Sequence, residues 1–281
     1  MRKKIISILI ALTIVLVTVI PAAAITGGQE DGDGHPYGAL LLVPGYTFCS
    51  GTLIDEDVVL TAGHCTSFWE SDPSIQEVWV TFDPYASVNP DTWEITGGTW
   101  YLSTSWATHP GYVDAAWPFT WDYGLAFLDT PVSGITPAAL PEAGIVDELI
   151  GSTGQTVNRF NDVGYGQDGV SFDIKPYIRN FDFIRKVSIQ RHNPSNGTVG
   201  TLDPRWLILQ NNPSDNHGGG CGGDSGSGIF LHNAQSGDTV LAVHTGGYRM
   251  GYMNRLCARM TSLEHRVDLP DVLSWIDPFI D

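Results

Sequence analysis

Short apolar runs, each bounded by Gly, Pro, Asn or Asp, set the rhythm of this chain. Residues 39–43, 48–54, 58–60 and 78–82 read as strands of the first half, and strands alternate with turns up to residue 106. A further run at 124–128 follows Trp121-Asp122-Tyr123. The second half resumes at 156–157 and 163–166 and continues through 183–189, 206–209, 229–231 and 239–243. Helical spacing is confined to Pro270–Ile276, where a leading proline suits the first turn of a helix. The pattern predicts an all-β chain with one terminal helix. Residues 131–145 are rich in Pro, Gly and Ala without alternation, so they are expected to connect two halves, 25–138 and 139–281.

One run does not fit a strand. Residues 5–20 are continuously apolar, preceded by Arg2, Lys3 and Lys4 and followed by Pro21-Ala22-Ala23-Ala24. This is the pattern of a secretory leader, 1–24, cut after Ala24 to leave Ile25 as the mature terminus. Its removal takes away three cations and no acid, so the net charge falls from −17 to −20. Such an acidic surface repels phosphate and excludes nucleic acid as a partner. No stable membrane association is expected after cleavage. In an exported chain the four cysteines suit two disulfides, for which three pairings exist. No C-x-x-C or H-x-x-x-H spacing is present, so no metal and no cofactor is expected.

Chemistry concentrates in three places. Cys221-Gly222-Gly223-Asp224-Ser225-Gly226-Ser227-Gly228 sets a nucleophile among glycines, which let the backbone bend tightly and turn its N–H groups toward a ligand. Thr61-Ala62-Gly63-His64-Cys65 ends a buried strand and holds a histidine rigidly. Asp122 stands immediately before an apolar run, where a carboxylate must find donors. Asp114 and Asp129 are nearby alternatives in turn-like, solvated contexts.

Taken together, these residues resemble the chymotrypsin/trypsin superfamily of serine endopeptidases, in particular its secreted bacterial branch. The order His64, Asp122, Ser225 is the family's order, and His109-Pro110-Gly111-Tyr112 and His265-Arg266-Val267-Asp268 are supporting matches. The resemblance implies two six-stranded antiparallel β-barrels packed face to face, with the site in the cleft between them. It implies Ser225 as nucleophile, His64 as general base and Asp122 as the group that orients the imidazole. Backbone N–H groups of Gly223 and Ser225 would form the oxyanion hole. Disulfides Cys49–Cys65 and Cys221–Cys257 are implied, as is a pair between the Ile25 α-amine and Asp224.

The resemblance also places the specificity pocket. Gly219, six positions before Ser225, stands where trypsin-like members carry an Asp, which disfavours cleavage after Lys or Arg. His244 at the pocket wall is similar to the histidine that receives an acidic side chain in glutamyl endopeptidases; a packed structural role is the other reading. Gly220 and Gly222 stand where hydroxyls would help an acidic pocket. Thr245 is expected to donate to Asp122, and Gly246-Gly247 to pair with extended substrate. One departure is Gly226-Ser227-Gly228, which lacks the proline that usually follows the nucleophile in the family. A polypeptide substrate and a monomer are expected. The alternatives are a secreted non-catalytic homologue acting as a binding protein and an α/β-hydrolase esterase. The latter is disfavoured because Ser227 stands where its nucleophile elbow needs Gly.

Overall fold

The computed structural model describes residues 28–117, 119–151, 158–167, 181–193, 203–210, 218–233, 239–248, 257 and 261–281. The leader, Ile25 and the strand expected at 156–157 lie outside the described residues. Two closed six-stranded antiparallel barrels make up the fold. The first comprises β2 (Gly38–Val43), β3 (Thr47–Asp55), β4 (Val58–Thr61), β5 (Val78–Thr81), β6 (Tyr101–Thr108) and β7 (Gly124–Leu128), closed in the order β2-β3-β4-β7-β6-β5. The second comprises β8 (Arg159–Gly164), β9 (Lys186–His192), β10 (Trp206–Gln210), β11 (Gly228–Leu231), β12 (Ala242–Tyr248) and β13 (Thr261–Arg266). Its order is β9-β10-β13-β12-β11-β8, and the β8–β9 pairing closes it. The short β1 (Gln29–Glu30) joins the outer edge of β9.

Strand β2 shows why its sequence is apolar at successive positions. Side chains alternate across a strand, so Leu41 faces the first barrel's interior with Leu53 and Val59, while Leu40 and Leu42 point outward. Outside they meet Tyr165 and Phe183 from the second half of the chain. One strand thus fills a barrel and an inter-barrel seam at once.

Three elements depart from the expected pattern. Strand β4 stops at Thr61 and the helix α1 (Gly63–Ser71) begins almost at once, putting His64 in a first helical turn. The strand expected at 183–189 starts at Lys186, because Phe183 adopts a φ of 54° that breaks extended backbone. The run at 239–243 continues as β12 through Tyr248, with a bulge between His244 and Gly246.

After β7 the chain lies along the first barrel, with Val132 N–H donating to Glu56 O and Ala138 N–H to Leu53 O. It then forms α2 (Ile145–Ile150), whose Val146 N–H is taken by the Asp268 carboxylate. The terminal α3 (Pro270–Ile276) packs on the first barrel: Val272 and Ile276 join the cluster of Tyr123 and Leu125. Among the described residues no helix is long and apolar enough to cross a membrane.

Candidate active site

The acid comes first because it is the most enclosed. Asp122 stands two residues before the start of β7 and is fully buried. Such a carboxylate needs donors, and it has three: the His64 backbone N–H (2.6 Å), the His64 ring through Nδ1 (2.9 Å) and the Thr245 hydroxyl (2.9 Å). Burial pushes the Asp122 carboxyl up, but the charge and hydrogen bonds of His64 and the charge of His265 outweigh it, leaving the group below its ordinary value. Asp114 and Asp129 are exposed, Asp114 in a 3-10 turn.

His64 owes its orientation to the helix start. Ala62 is extended and Gly63 opens α1, so the His64 amide and ring both reach the same carboxylate. The ring is 29% exposed. Helix α1 is pinned to β3 by the disulfide Cys49–Cys65.

Ser225 enters from the other barrel, in the turn before β11. Its carbonyl accepts the Ser50 N–H at 2.8 Å and lies 3.9 Å from Cys65 Sγ, the residue next to His64. The turn demands its glycines. Gly223 has φ +96° and a Cβ there would fall 2.3 Å from Phe48; Gly226 has φ +88° and a Cβ would fall 2.1 Å from Thr61 Oγ1. Among the described residues, no hydrogen bond joins the Ser225 hydroxyl to the His64 ring, and no acceptor takes the N–H of Gly223 or of Ser225. Hydrogen bonds of this kind commonly tighten when substrate binds.

The turn is braced from beneath. Asp224 is fully buried and accepts the N–H groups of Gly166 (2.7 Å) and Cys221 (2.8 Å). Burial raises its carboxyl to about 6, against the opposing charge of His244 and those two N–H groups. The disulfide Cys221–Cys257 closes the same region.

Beside Ser225, Gly219, Gly220 and His244 are buried and contiguous. Thr245 bridges Asp122 and His265, whose Nδ1 lies 2.6 Å from the hydroxyl. His265 Nε2 in turn meets Thr120 O at 2.8 Å. In the sequence His265 stands only as part of a motif; its place behind the acid follows from β13 lying beside β12, a pairing that local sequence does not announce. Gly246 and Gly247 pair with Leu263 and Ser262 on one edge only, since β11 reaches β12 no further than Val243. Their other edge is open to an added strand among the described elements.

Asp162, His244 and Glu264 also converge, with one atom of each lying within 4.8 Å of the others. His244 Nδ1 is bonded to Glu264 (3.0 Å), and Asp162 accepts from Ser227 (2.6 Å) and Gln190 (3.1 Å). Atoms so engaged with one another form a hydrogen-bonded ion cluster rather than a ligand shell.

Among known families, the trypsin family model matches residues 25–144, covering the first barrel, His64 and Asp122. No curated protein matches the chain.

Proposed function

The chain belongs to the trypsin/chymotrypsin-like superfamily of serine proteases, and from that premise we propose that it is a secreted serine endopeptidase acting through Ser225, His64 and Asp122. The observation that carries this reading is the double grip of Asp122 on His64, through the backbone N–H and Nδ1. With Nδ1–H held by the acid, Nε2 is left as the basic nitrogen. It takes the proton of the Ser225 hydroxyl as the oxygen attacks a peptide carbonyl, then returns it to the leaving amine. The Thr245 hydroxyl donates to Oδ2, the carboxylate oxygen that the His64 ring also meets. The N–H groups of Gly223 and Ser225, which have no acceptor among the described residues, receive the oxyanion, each worth roughly 3 kcal/mol. Water then repeats the sequence on the acyl-enzyme.

Substrate binds as an extended strand on the open edge of Gly246-Gly247. With Gly rather than Asp at position 219, cleavage after Lys or Arg is not expected. His244 at its wall favours an acidic residue. Two disulfides and the leader suit an exported protein. Asp224, buried with two N–H donors and no cation bonded to it among the described residues, suits the α-amine of Ile25 once the leader is cut.

A non-catalytic homologue is favoured by one observation, the missing bond between the Ser225 hydroxyl and the His64 ring. Hydrolysis of an unfolded protein substrate by the purified mature chain separates the two. Cleavage abolished by Ser225→Ala supports the peptidase; cleavage that survives it, or none in the wild type, overturns it.

A further inference from the structure

A lysine lies inside the second barrel. Along β9 the buried positions alternate as Lys186, Ser188 and Gln190, so these three side chains point inward together. Lys186 is 2% exposed, and its ammonium donates to Asp182, which precedes the strand and is 25% exposed. Glu30, opposite Lys186 on β1, is exposed and accepts from the Tyr85 hydroxyl. Enclosing a lysine is costly, and an acid at the rim that is partly in water does not require a buried partner.

The register shows what lies beside the lysine. Lys186 stands directly opposite Gly164 on β8, and residues so paired send their side chains to the same face with Cβ atoms about 5 Å apart. A Cβ on Gly164 would fall 2.3 Å from Asp224 Oδ1. The Asp224 carboxylate therefore fills the place of the side chain that Gly164 lacks, next to the lysine stem, and a flexible four-carbon stem can cross that gap. Gly166 makes room in the same way, its Cβ position lying 2.3 Å from Asp224 Oδ2. Asp224 is fully buried, and its side-chain hydrogen bonds among the described residues come from the Gly166 and Cys221 N–H groups rather than from a cation. Burial raises its carboxyl; the charge of His244, those N–H groups and the charge of Lys186 oppose that rise.

The expected leader ends in three alanines, Ala22-Ala23-Ala24, small residues of the kind at which leaders are cut. A cut one or two residues early leaves Ile25 without a free α-amine, and Asp224 without the partner assigned to it above. A buried carboxylate with no cation is strongly unfavourable, and Asp224 is the residue that joins Gly223 to Ser225.

We propose that Lys186 is a positioning residue, an internal cation that leaves Asp182 for Asp224 when the Ile25 α-amine is absent and so keeps the turn of Gly223 and Ser225 in its working form. The proposal rests on the peptidase reading above and concerns the regulation of that site: activity does not depend on a single cut position.

Two forms of the protein test it, one starting at Ile25 and one at Ala23, each as wild type and as Lys186→Met. Met fills the space of the buried stem and removes the charge. With one peptide substrate, the wild-type Ala23 form is expected to keep about a tenth or more of the kcat/KM of the Ile25 form, since Asp182 competes for the ammonium. Lys186→Met is expected to cost the Ala23 form about a hundredfold or more, the order set by a buried carboxylate left without its cation. The Ile25 form should lose at most about threefold, because the α-amine serves Asp224 there. A merely structural Lys186 would lower both forms alike, and that result overturns the proposal. So does a wild-type Ala23 form that falls below a tenth, or one whose activity is indifferent to Lys186→Met. If Lys186→Met does not fold, a crystal structure of the wild-type Ala23 form decides: Nζ within hydrogen-bond reach of the Asp224 carboxylate supports the proposal, and Nζ still on Asp182 overturns it. Absence of cleavage by both wild-type forms, with no fluorophosphonate label on Ser225, overturns the peptidase reading and this proposal with it. Cleavage by the Ile25 form alone overturns this proposal alone.

Discussion

Replacing Ser225 by Ala, or His64 by Ala, is expected to lower kcat by about 10⁴-fold or more with little change in melting temperature. Each side chain is partly exposed at the cleft, so its loss leaves no cavity in the core. Asp122 differs, because its acid is buried and held below its ordinary value. Its contribution to stability is therefore full above the unfolded-state pKa of about 4 and is lost as the pH falls through the lower folded value. Denaturant titrations between about pH 2 and 6 should show a steep acid limb in the wild type and a flatter one in Asp122→Asn. At this scale the sequence said a great deal. The side chains proposed as catalytic lie in short motifs that each carry local cues: a histidine after a buried strand, an acid before an apolar run, a serine between glycines. It said least about Glu264 and Asp162, whose partners come from other strands and whose neighbours along the chain look like ordinary strand residues.

At the scale of the element, the turn that carries Ser225 is held by sterics. Gly226→Ala forces a Cβ against Thr61 Oγ1 and the Ser50 carbonyl at a φ of +88°. A loss of about 3 kcal/mol or more in urea unfolding is expected, along with activity, since Ser225 would shift with the turn. The disulfide Cys49–Cys65 spans 16 residues. Replacing both cysteines by Ala should cost about 3 kcal/mol by the loop-closure argument, read by the same unfolding curves. Elements with a clean apolar period, such as β3, β4 and α3, were legible in the sequence. Helix α1 was not, because its nine residues mix Gly, Thr, Ser and aromatics without an amphipathic stripe. Its place is set by the disulfide and by the His64–Asp122 bonds. Strand β13 was missed for a related reason: its six buried residues include Glu264, His265 and Arg266, which read as surface.

For the whole molecule, the two barrels are tied by segments that cross between them. β1 crosses to pair with β9, and Arg185 donates to Asp31, Gly32 O, Gly38 O and Phe82 O. Tyr123 donates to Arg266 O, and α3 returns to the first barrel. Ile276, fully buried in a core cluster that draws on both barrels, is the anchor of α3. Ile276→Ala should cost about 2–5 kcal/mol and lower activity only as far as it unfolds the protein. The all-β class and the two-barrel arrangement were legible from strand spacing together with the resemblance. How the ends of the chain cross between barrels was not, since such contacts join residues far apart in sequence.

The central claim is that residues from both barrels make one hydroxyl nucleophilic. The most direct measurement is the reaction of the mature protein with a fluorophosphonate, with the modified residue located by mass spectrometry. The account predicts one label, on Ser225, lost in His64→Ala and strongly slowed in Asp122→Asn. No label on the folded wild type, or a label on Ser225 that is unchanged in His64→Ala, would contradict it.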